Sequence, residues 1–511
     1  MNDIDLLADE PLAHKLIKKG SWLYFFMIIT APVAYFVRVI ISNKLGIDDV
    51  GLFYSVLGLI GLLSIYHDLG LTESLQYFLP KYRIEKKFSH FKSVIIITLI
   101  AQVTIGILVA LAIYFGSNRL ALHHFRSPEA GHVIRILCWY FIGINFLTVF
   151  NSIYISFQDA IASSLTDFFR SYGILAFTLI FWLSNTLTTT TFTIARISGL
   201  GIALLVSSII FFKKYRYTLK LGSLTFEKTL IKTQLKYAFR VFLGANVGTL
   251  LGQVDQQLIV NFLGPLQAGY YANFFSLVGM YSVIVLPILS LVFPIVTELI
   301  TKAHYEKFAT FQSILYKYFS VFALSIGGLF FAFGPEIASV LFGTKFMYSG
   351  QLLMYIGPFL IFNVLTSINY GILAGFGKVK QRVIVIGRAL LVNVVANIIF
   401  ILGLGWGLMG AVIALILGWL VLRGLSFRIV NKHQAISFER KFLRKNLLII
   451  GAISIVYYFL KSHFLVLSNG YRFENIGYLA IAIVVYYGVI SLVNLGSIKG
   501  LLREIKIIRK G

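Results

Sequence analysis

The chain has 511 residues, of which 58% are hydrophobic and 13% charged, and its mean hydropathy is +0.85. That balance leaves too little polar surface for a water-soluble domain and matches what lipid demands, so the chain reads as a polytopic membrane protein. A formal charge of +25 would suggest nucleic acid in a soluble protein, but the basic residues here cluster in short loops between apolar spans; the positive-inside rule and anionic lipid headgroups account for them, and no nucleic-acid role is expected.

In chain order, the first 20 residues carry Asp3, Asp5 and Glu10 and no apolar core before Ser21, so no cleavable signal is expected. Apolar stretches of roughly 20 residues, each long enough to cross about 30 Å of hydrocarbon, then follow along the whole sequence. Fourteen spans are predicted. The first six lie at about 21–42, 50–69, 91–115, 132–157, 166–184 and 189–212, and the basic segment 213–236 follows. The next six lie at about 238–262, 267–293, 312–334, 349–376, 383–403 and 406–427. A second basic linker, 428–445, precedes a pair at about 446–462 and 475–496 and a basic tail from Lys499. Lys81, Arg83, Lys86, Lys213, Lys214, Lys378, Lys380 and Arg444 all fall on one face under this count, whereas the other face holds few cations, among them Lys44, Arg119, Arg126 and Lys461. Both termini are therefore expected in the cytoplasm.

An internal repeat divides the chain. Leu45-Gly46, four residues and Gly51-Leu52-Phe53 are matched 218 residues later by Leu263-Gly264, four residues and Gly269-Tyr270-Tyr271. The expected architecture is all-α, with an N-terminal lobe (1–212), a cytoplasmic linker (213–236), a C-terminal lobe (237–427) and a final helix pair with its tail (428–511).

Soluble-enzyme motifs do not survive this context. Gly405 to Gly410 matches a dinucleotide-binding pattern, yet spanning helices flank it and the next acid is Glu439; a tight turn with close helix packing explains it better. His123, His124 and His132 lack a cysteine or paired carboxylate at ligand spacing, and no metal site is expected. Cys138 lies alone in an apolar run, which excludes an intramolecular disulfide.

Charged and amide side chains inside spans carry more information, because each is costly when it faces lipid. Arg38, Arg135, Arg196 and Asp255 lie toward the outer ends of their spans, and Asp68, Asp167, Arg170, Arg240, Arg388 and Arg423 toward the inner ends. Arg170, Arg240 and Arg423 read as snorkelling or structurally paired. Candidates for substrate binding or gating are Arg38, Arg196, Asp255, Gln253, Gln257, Arg388, Asp68 and Arg135. Asn393 and Asn397 share a helical face, to line a cavity or to bond a neighbouring helix. Under the repeat Val37 aligns with Asp255 and Arg38 with Gln256, so Arg38 and Asp255 are expected at similar depth, as a gate whose alternatives are pairing of Asp255 with Arg196 or with a cation. The basic excess inside the bundle favours an anionic substrate.

Several features together carry a resemblance: Leu45-Gly46 through Phe53; Asp68-Leu69-Gly70-Leu71; Asp255-Gln256 with Leu263-Gly264 and Gly269-Tyr270-Tyr271; Pro294; Leu341-Phe342-Gly343; Gly375-Phe376-Gly377-Lys378; Asn393; and Gly405 through Ala411. With them the chain resembles the polysaccharide transporter family of oligosaccharide flippases, within the larger group that holds lipid II flippases and multidrug and toxin extrusion antiporters. The resemblance implies two six-helix lobes across a cleft, alternating access, and a substrate built of a polyprenyl carrier, a phosphate or pyrophosphate and a sugar chain. The function expected is therefore a plasma-membrane flippase moving a lipid-linked oligosaccharide outward, without covalent chemistry or cofactor. The coupling ion, H+ or Na+, stays open, and partners would be anionic lipids and the polymerase or glycosyltransferase machinery of glycan assembly. An ion-coupled drug or metabolite antiporter is the alternative. A membrane glycosyltransferase is disfavoured because the external loop at 116–131 holds Glu129 as its one acid.

Overall fold

The computed structural model describes residues 12–216, 220, 222–245, 247–433, 440–464 and 474–492. Asp3, Asp5, Glu10, Glu439 and the tail from Lys499 lie outside the described residues, as do the side chains of Arg240 and Pro294. All regular structure among the described residues is helical. The chain divides into two compact units, 1–246 and 247–511.

The first unit contains α1 (Leu12–Lys44), α2 (Ile47–Asp68), α3 (Leu71–Ile84), α4 (Phe88–His123), α5 (Ala130–Ser156), α6 (Ala160–Leu183), α7 (Thr189–Ile210) and α8 (Lys228–Ala245). Helix α6 packs between α1 and α7, and α5 against α4 and α7. Helix α3 was expected as loop. Its apolar residues Leu71, Leu75, Phe78, Leu79 and Tyr82 recur at helical spacing and are buried, where they meet Phe91 and Val94 of α4, Val149 and Tyr154 of α5 and Leu230 of α8. Gly70 at the start of α3 is left-handed, with φ of 77°. A Cβ there would lie 2.2 Å from the backbone oxygen of Ala238, so α8 approaches α3 as closely as backbone allows. The buried Gln234 of α8 reaches Ser74 and Thr98, which completes the docking of α8.

The second unit contains α9 (Val247–Leu263), α10 (Pro265–Gly279), α11 (Ser282–Thr301), α12 (Tyr305–Phe342), α13 (Met347–Ile356), α14 (Leu360–Gly375), α15 (Val379–Asn397), α16 (Gly407–His433), α17 (Arg440–Phe464) and α18 (Glu474–Leu492). Gly327 and Gly334 of α12 meet Gly357 and Gly350 backbone to backbone, which brings α12 and the α13 segment together without side-chain spacers. The helix pair α17–α18 is fixed to α12 by Tyr486, whose hydroxyl donates to the Ser325 carbonyl at 3.1 Å and meets Ser454 Oγ at 3.0 Å. A Glu336–Lys461 ion pair of 2.9 Å adds a second attachment.

Among the described residues, 11 helices are long and apolar enough to span a membrane, and they coincide with eleven of the fourteen expected spans. The expected span at 166–184 falls short through its polar content. Helix α6 carries Ser163, Ser164, Thr166, Asp167 and Arg170. The expected span at 238–262 takes in the end of α8 and most of α9, with residue 246 between them outside the described residues, and α9 carries Gln253, Asp255, Gln256 and Gln257. The repeat survives at the level of backbone. Ile47 opens α2 and its counterpart Pro265, 218 residues on, opens α10. Phe53 and its counterpart Tyr271 are both fully buried.

Candidate functional site

Three arginines and four aromatic rings come together in the first unit. The Arg38 guanidinium, on α1, lies 3.7 Å from the centre of the Tyr54 ring on α2; when desolvated such a contact contributes about 2 kcal/mol. Arg196, on α7, lies 5.7 Å from the rings of both Phe53 (α2) and Tyr140 (α5). Tyr140 is buried, and Arg196 and Arg170 of α6 lie in its electrostatic neighbourhood. Arg170 also makes a 2.9 Å ion pair with Asp167. Arg38, Tyr35, Tyr54 and Arg196 share one electrostatic neighbourhood. Helix geometry explains the grouping. Arg170 is about ten residues into α6, roughly 15 Å along its axis, and Arg196 about seven residues from the opposite end in the antiparallel α7. Of the two readings expected for Arg170, snorkelling or structural pairing, the ion pair with Asp167 supplies the second.

The second unit holds a different cluster. Asp255 of α9 is fully buried. One carboxyl oxygen accepts from the Tyr271 hydroxyl of α10 at 2.9 Å, and the other from Asn397 Nδ2 of α15 at 2.9 Å. Asn397 Nδ2 also donates to the Asn393 carbonyl at 2.9 Å, and the Asn393 side chain adjoins the carboxyl. Oδ1 of both Asn393 and Asn397 has no hydrogen-bond partner among the described residues. No lysine or arginine contributes to this group among the described residues. One carboxyl and two amide oxygens, hard ligands in a buried setting, suit a proton or a monovalent cation. The described residues hold no group of three His, Cys, Asp or Glu of the kind that would bind a transition metal.

The remaining predicted residues lie apart from both clusters. Asp68 ends α2 and accepts from Thr72 N at 3.2 Å, Thr72 Oγ1 at 2.9 Å and Gln102 Nε2 at 2.5 Å, tying α2, α3 and α4 together. Arg135 donates to Ser117 and Asn118 and fastens α5 to α4. Gln253 is half-buried and Gln257 buried on α9, next to Gln256, which donates to the Ala268 carbonyl at 3.1 Å. Arg388 is exposed on α15 about nine residues in, roughly 14 Å along the helix. Arg423 is likewise about ten residues from the end of α16. It lies 5.3 Å from the Tyr316 ring and 4.9 Å from that of Phe427, where Asn369 and Ser426 also meet. Tyr54, Tyr140 and Tyr271 escaped the sequence reading. For Tyr271 the signal was present, since the repeat pairs it with Phe53 and places a hydroxyl where the first half has none.

Comparison with known proteins agrees with this architecture. Residues 16–300 match the family described as polysaccharide biosynthesis protein. An uncharacterized membrane protein of Methanocaldococcus jannaschii is 25% identical over 462 residues, which is 87% of this chain and 89% of that protein. Among solved structures, the lipid II flippase MurJ in an inward closed conformation superposes with a TM-score of 0.70 at 16% identity, over 93% of this chain and 99% of MurJ. The inward-facing conformation of a multidrug resistance MATE family transporter of the MOP superfamily gives a TM-score of 0.69 at 17% identity, over 81% of this chain and 98% of that one. The fold is therefore that of MOP-superfamily transporters.

Proposed function

Because this chain belongs to the polysaccharide biosynthesis protein family, we propose that it is a plasma-membrane flippase that carries a polyprenyl-linked oligosaccharide from the cytoplasmic to the external leaflet by alternating access. Three guanidiniums set among aromatic rings in the first unit, with Asp167 paired to Arg170, carry this reading. Such a cluster suits an anionic headgroup in a site of low dielectric. Sugar rings can stack on the aromatic faces, while the prenyl chain stays in lipid, where each methylene withheld from water contributes about 0.8 kcal/mol.

Asp255 with Asn393, Asn397 and Tyr271 would take the coupling ion, H+ or Na+. An acid that gains and loses one positive charge in a buried site can bias two conformations through its differential affinity for the ion. The alternative, an antiporter of cationic drugs or metabolites, shares the fold, yet it would bring a cation to three arginines. Proteoliposomes loaded with a fluorescent prenyl-diphosphate oligosaccharide, with an impermeant glycosidase outside, test the choice. Inner-leaflet substrate should become cleavable, and Arg196→Ala should slow this at least tenfold at equal protein abundance. Cleavage no faster than in protein-free vesicles, together with gradient-driven uptake of a cationic dye, would overturn the proposal in favour of the antiporter.

A further inference from the structure

The second unit holds a cavity that no step of the proposed transport uses. Its volume is about 400 Å3, and it is lined by Phe333 of α12, Tyr457 and Lys461 of α17, and Tyr478, Ala482 and Val485 of α18. Within the apolar stretches of α17 and α18 only 17% of the residues are buried. The pair therefore turns most of its surface outward from its unit, and for spans this apolar the medium that fills a lining of this kind is hydrocarbon and not water.

The lining is sorted along the helices. Lys461 lies in the last turn of α17 and Tyr478 near the start of α18, so the polar groups gather where the two spans end. Val485 is about seven residues past Tyr478, roughly 10 Å deeper along α18. A polar mouth at the span end above an apolar body is the layout of a phospholipid, with phosphate and glycerol at the boundary and an acyl chain below. Charge narrows the class. The Lys461 ammonium meets Glu336 Oε1 at 2.9 Å and Oε2 at 3.1 Å. These contacts use at most two of its three N–H donors, and the carboxylate keeps further lone pairs. The ion pair has no net charge, so an anionic head would bring its charge to Glu336 as well as to Lys461. A zwitterionic head places phosphate on the ammonium and its own ammonium on the carboxylate, and the four charges alternate.

We propose that this cavity binds a zwitterionic phospholipid of the surrounding bilayer, with one acyl chain between Phe333 and Val485 and its phosphate accepting from Lys461. The proposal is independent of what the first-unit arginines bind.

The test titrates palmitoyl-oleoyl-phosphatidylethanolamine, and the phosphatidylglycerol with the same chains, into the delipidated full chain in detergent, with bound lipid counted by native mass spectrometry. The wild type should take its first phosphatidylethanolamine about tenfold more tightly than phosphatidylglycerol. Ala482→Phe puts a ring into the cavity and should weaken both lipids about tenfold, with a lipid-free melting temperature no lower than that of the wild type. The double variant Lys461→Met with Glu336→Gln removes both charges at similar volume; it should keep chain binding and bring the two lipids within about twofold of each other. Wild-type affinities in a folded Ala482→Phe overturn the site. If that variant does not fold, the double variant decides, and a preference that survives there overturns the proposal. Displacement of phosphatidylethanolamine by citronellyl-diphospho-N-acetylglucosamine, a short form of the proposed transported headgroup, would assign the cavity to the transported lipid and overturn it too, while leaving the flippase reading in place.

Discussion

Replacing Tyr271 by Phe tests the chemistry at Asp255 with one oxygen. The hydroxyl donates at 2.9 Å to one oxygen of a carboxyl with no accessible surface, and Asn397 Nδ2 donates to the other, also at 2.9 Å. A hydrogen bond to an ionised group contributes about 1.5–3 kcal/mol and one between neutral groups about 0.5–1.5 kcal/mol. The loss in Tyr271→Phe therefore reports the charge on Asp255: the larger value is expected where the carboxylate is ionised beside a bound cation, the smaller where it holds a proton. The assay is thermal unfolding of the purified chain in detergent at constant ionic strength, with sodium chloride exchanged for choline chloride and repeated across pH. If sodium is the ligand, a concentration of 100 times its Kd stabilises the wild type by about 2.7 kcal/mol. Asp255→Asn keeps an acceptor oxygen for Asn397 Nδ2 and presents an N–H that the Tyr271 hydroxyl can accept, so it should fold and lose that sodium-dependent gain. If the ligand is a proton, the sodium effect is absent in the wild type and a pH-dependent shift disappears in Asp255→Asn. A wild type indifferent to both ions, or an Asp255→Asn variant that keeps the whole response, refutes ion coupling at this carboxyl.

Three further outcomes are expected. In a Cys138→Ala background, a cysteine at Glu129 should label with an impermeant reagent from outside intact cells and a cysteine at Ser223 should not; both native residues are exposed, whereas Ser117, at the end of α4, is buried and would report nothing. Asp159, in the turn between α5 and α6, is pushed up by burial but held below the ordinary carboxylate range by the Tyr215 hydroxyl, the Ala162 amide and Lys214. Because its folded-state pKa is depressed, its contribution is complete above the unfolded pKa near 3.9 and lost as pH falls through the folded value, so the stability gap between wild type and Asp159→Asn should be constant above about pH 5 and shrink below about pH 4 in unfolding measurements. Gly70→Ala meets both a left-handed backbone and the Ala238 carbonyl; it should cost at least about 1–2 kcal/mol from the backbone term alone, read as a lowered unfolding midpoint, and a neutral result would refute the close docking of α8.

Spans were legible because hydropathy and length are local properties, and eleven expected spans coincide with helices that satisfy both. The reading failed where polar side chains dilute a buried helix. Helix α6 begins at Ala160, six residues before the span expected at 166–184, and carries Ser163 and Ser164 in that added length. Helix α3 was missed because its apolar face is packed against α4 and α5 and not against lipid, so it is too polar on average to register as a span. The candidate site was legible in its charges, which are rare in spans and so conspicuous. It was illegible in its tyrosines, because aromatic residues are common in spans and nothing local marks the one that faces two arginines. Asp68 and Arg135 show the converse limit: a charge in a span draws attention whether it lines a cavity or, as the bonds of these two show, fastens neighbouring helices.

The repeat gives the two units the same backbone start at α2 and α10, yet the chemistry at matching positions differs. Where the second unit has Asp255 and Tyr271, the first has Val37 and Phe53, all four buried. The first unit places its polar groups on other positions, as arginines held by rings. On the function proposed here the first unit would hold the anion and the second the cation, and a carrier that couples the two needs both sites to be present but not to share ligands. Binding of each ligand alone should then be separable by mutation. Arg196→Ala should weaken citronellyl-diphospho-N-acetylglucosamine at least tenfold and leave the ion-dependent rise in melting temperature within error of the wild type. Asp255→Asn should abolish that rise and leave probe affinity in ion-free buffer within about twofold. Both variants should fail in translocation. Calorimetry and thermal unfolding on the same preparations check this, and loss of the ion response in Arg196→Ala, at an unchanged melting temperature in ion-free buffer, would show that the two sites are one and overturn the division of roles.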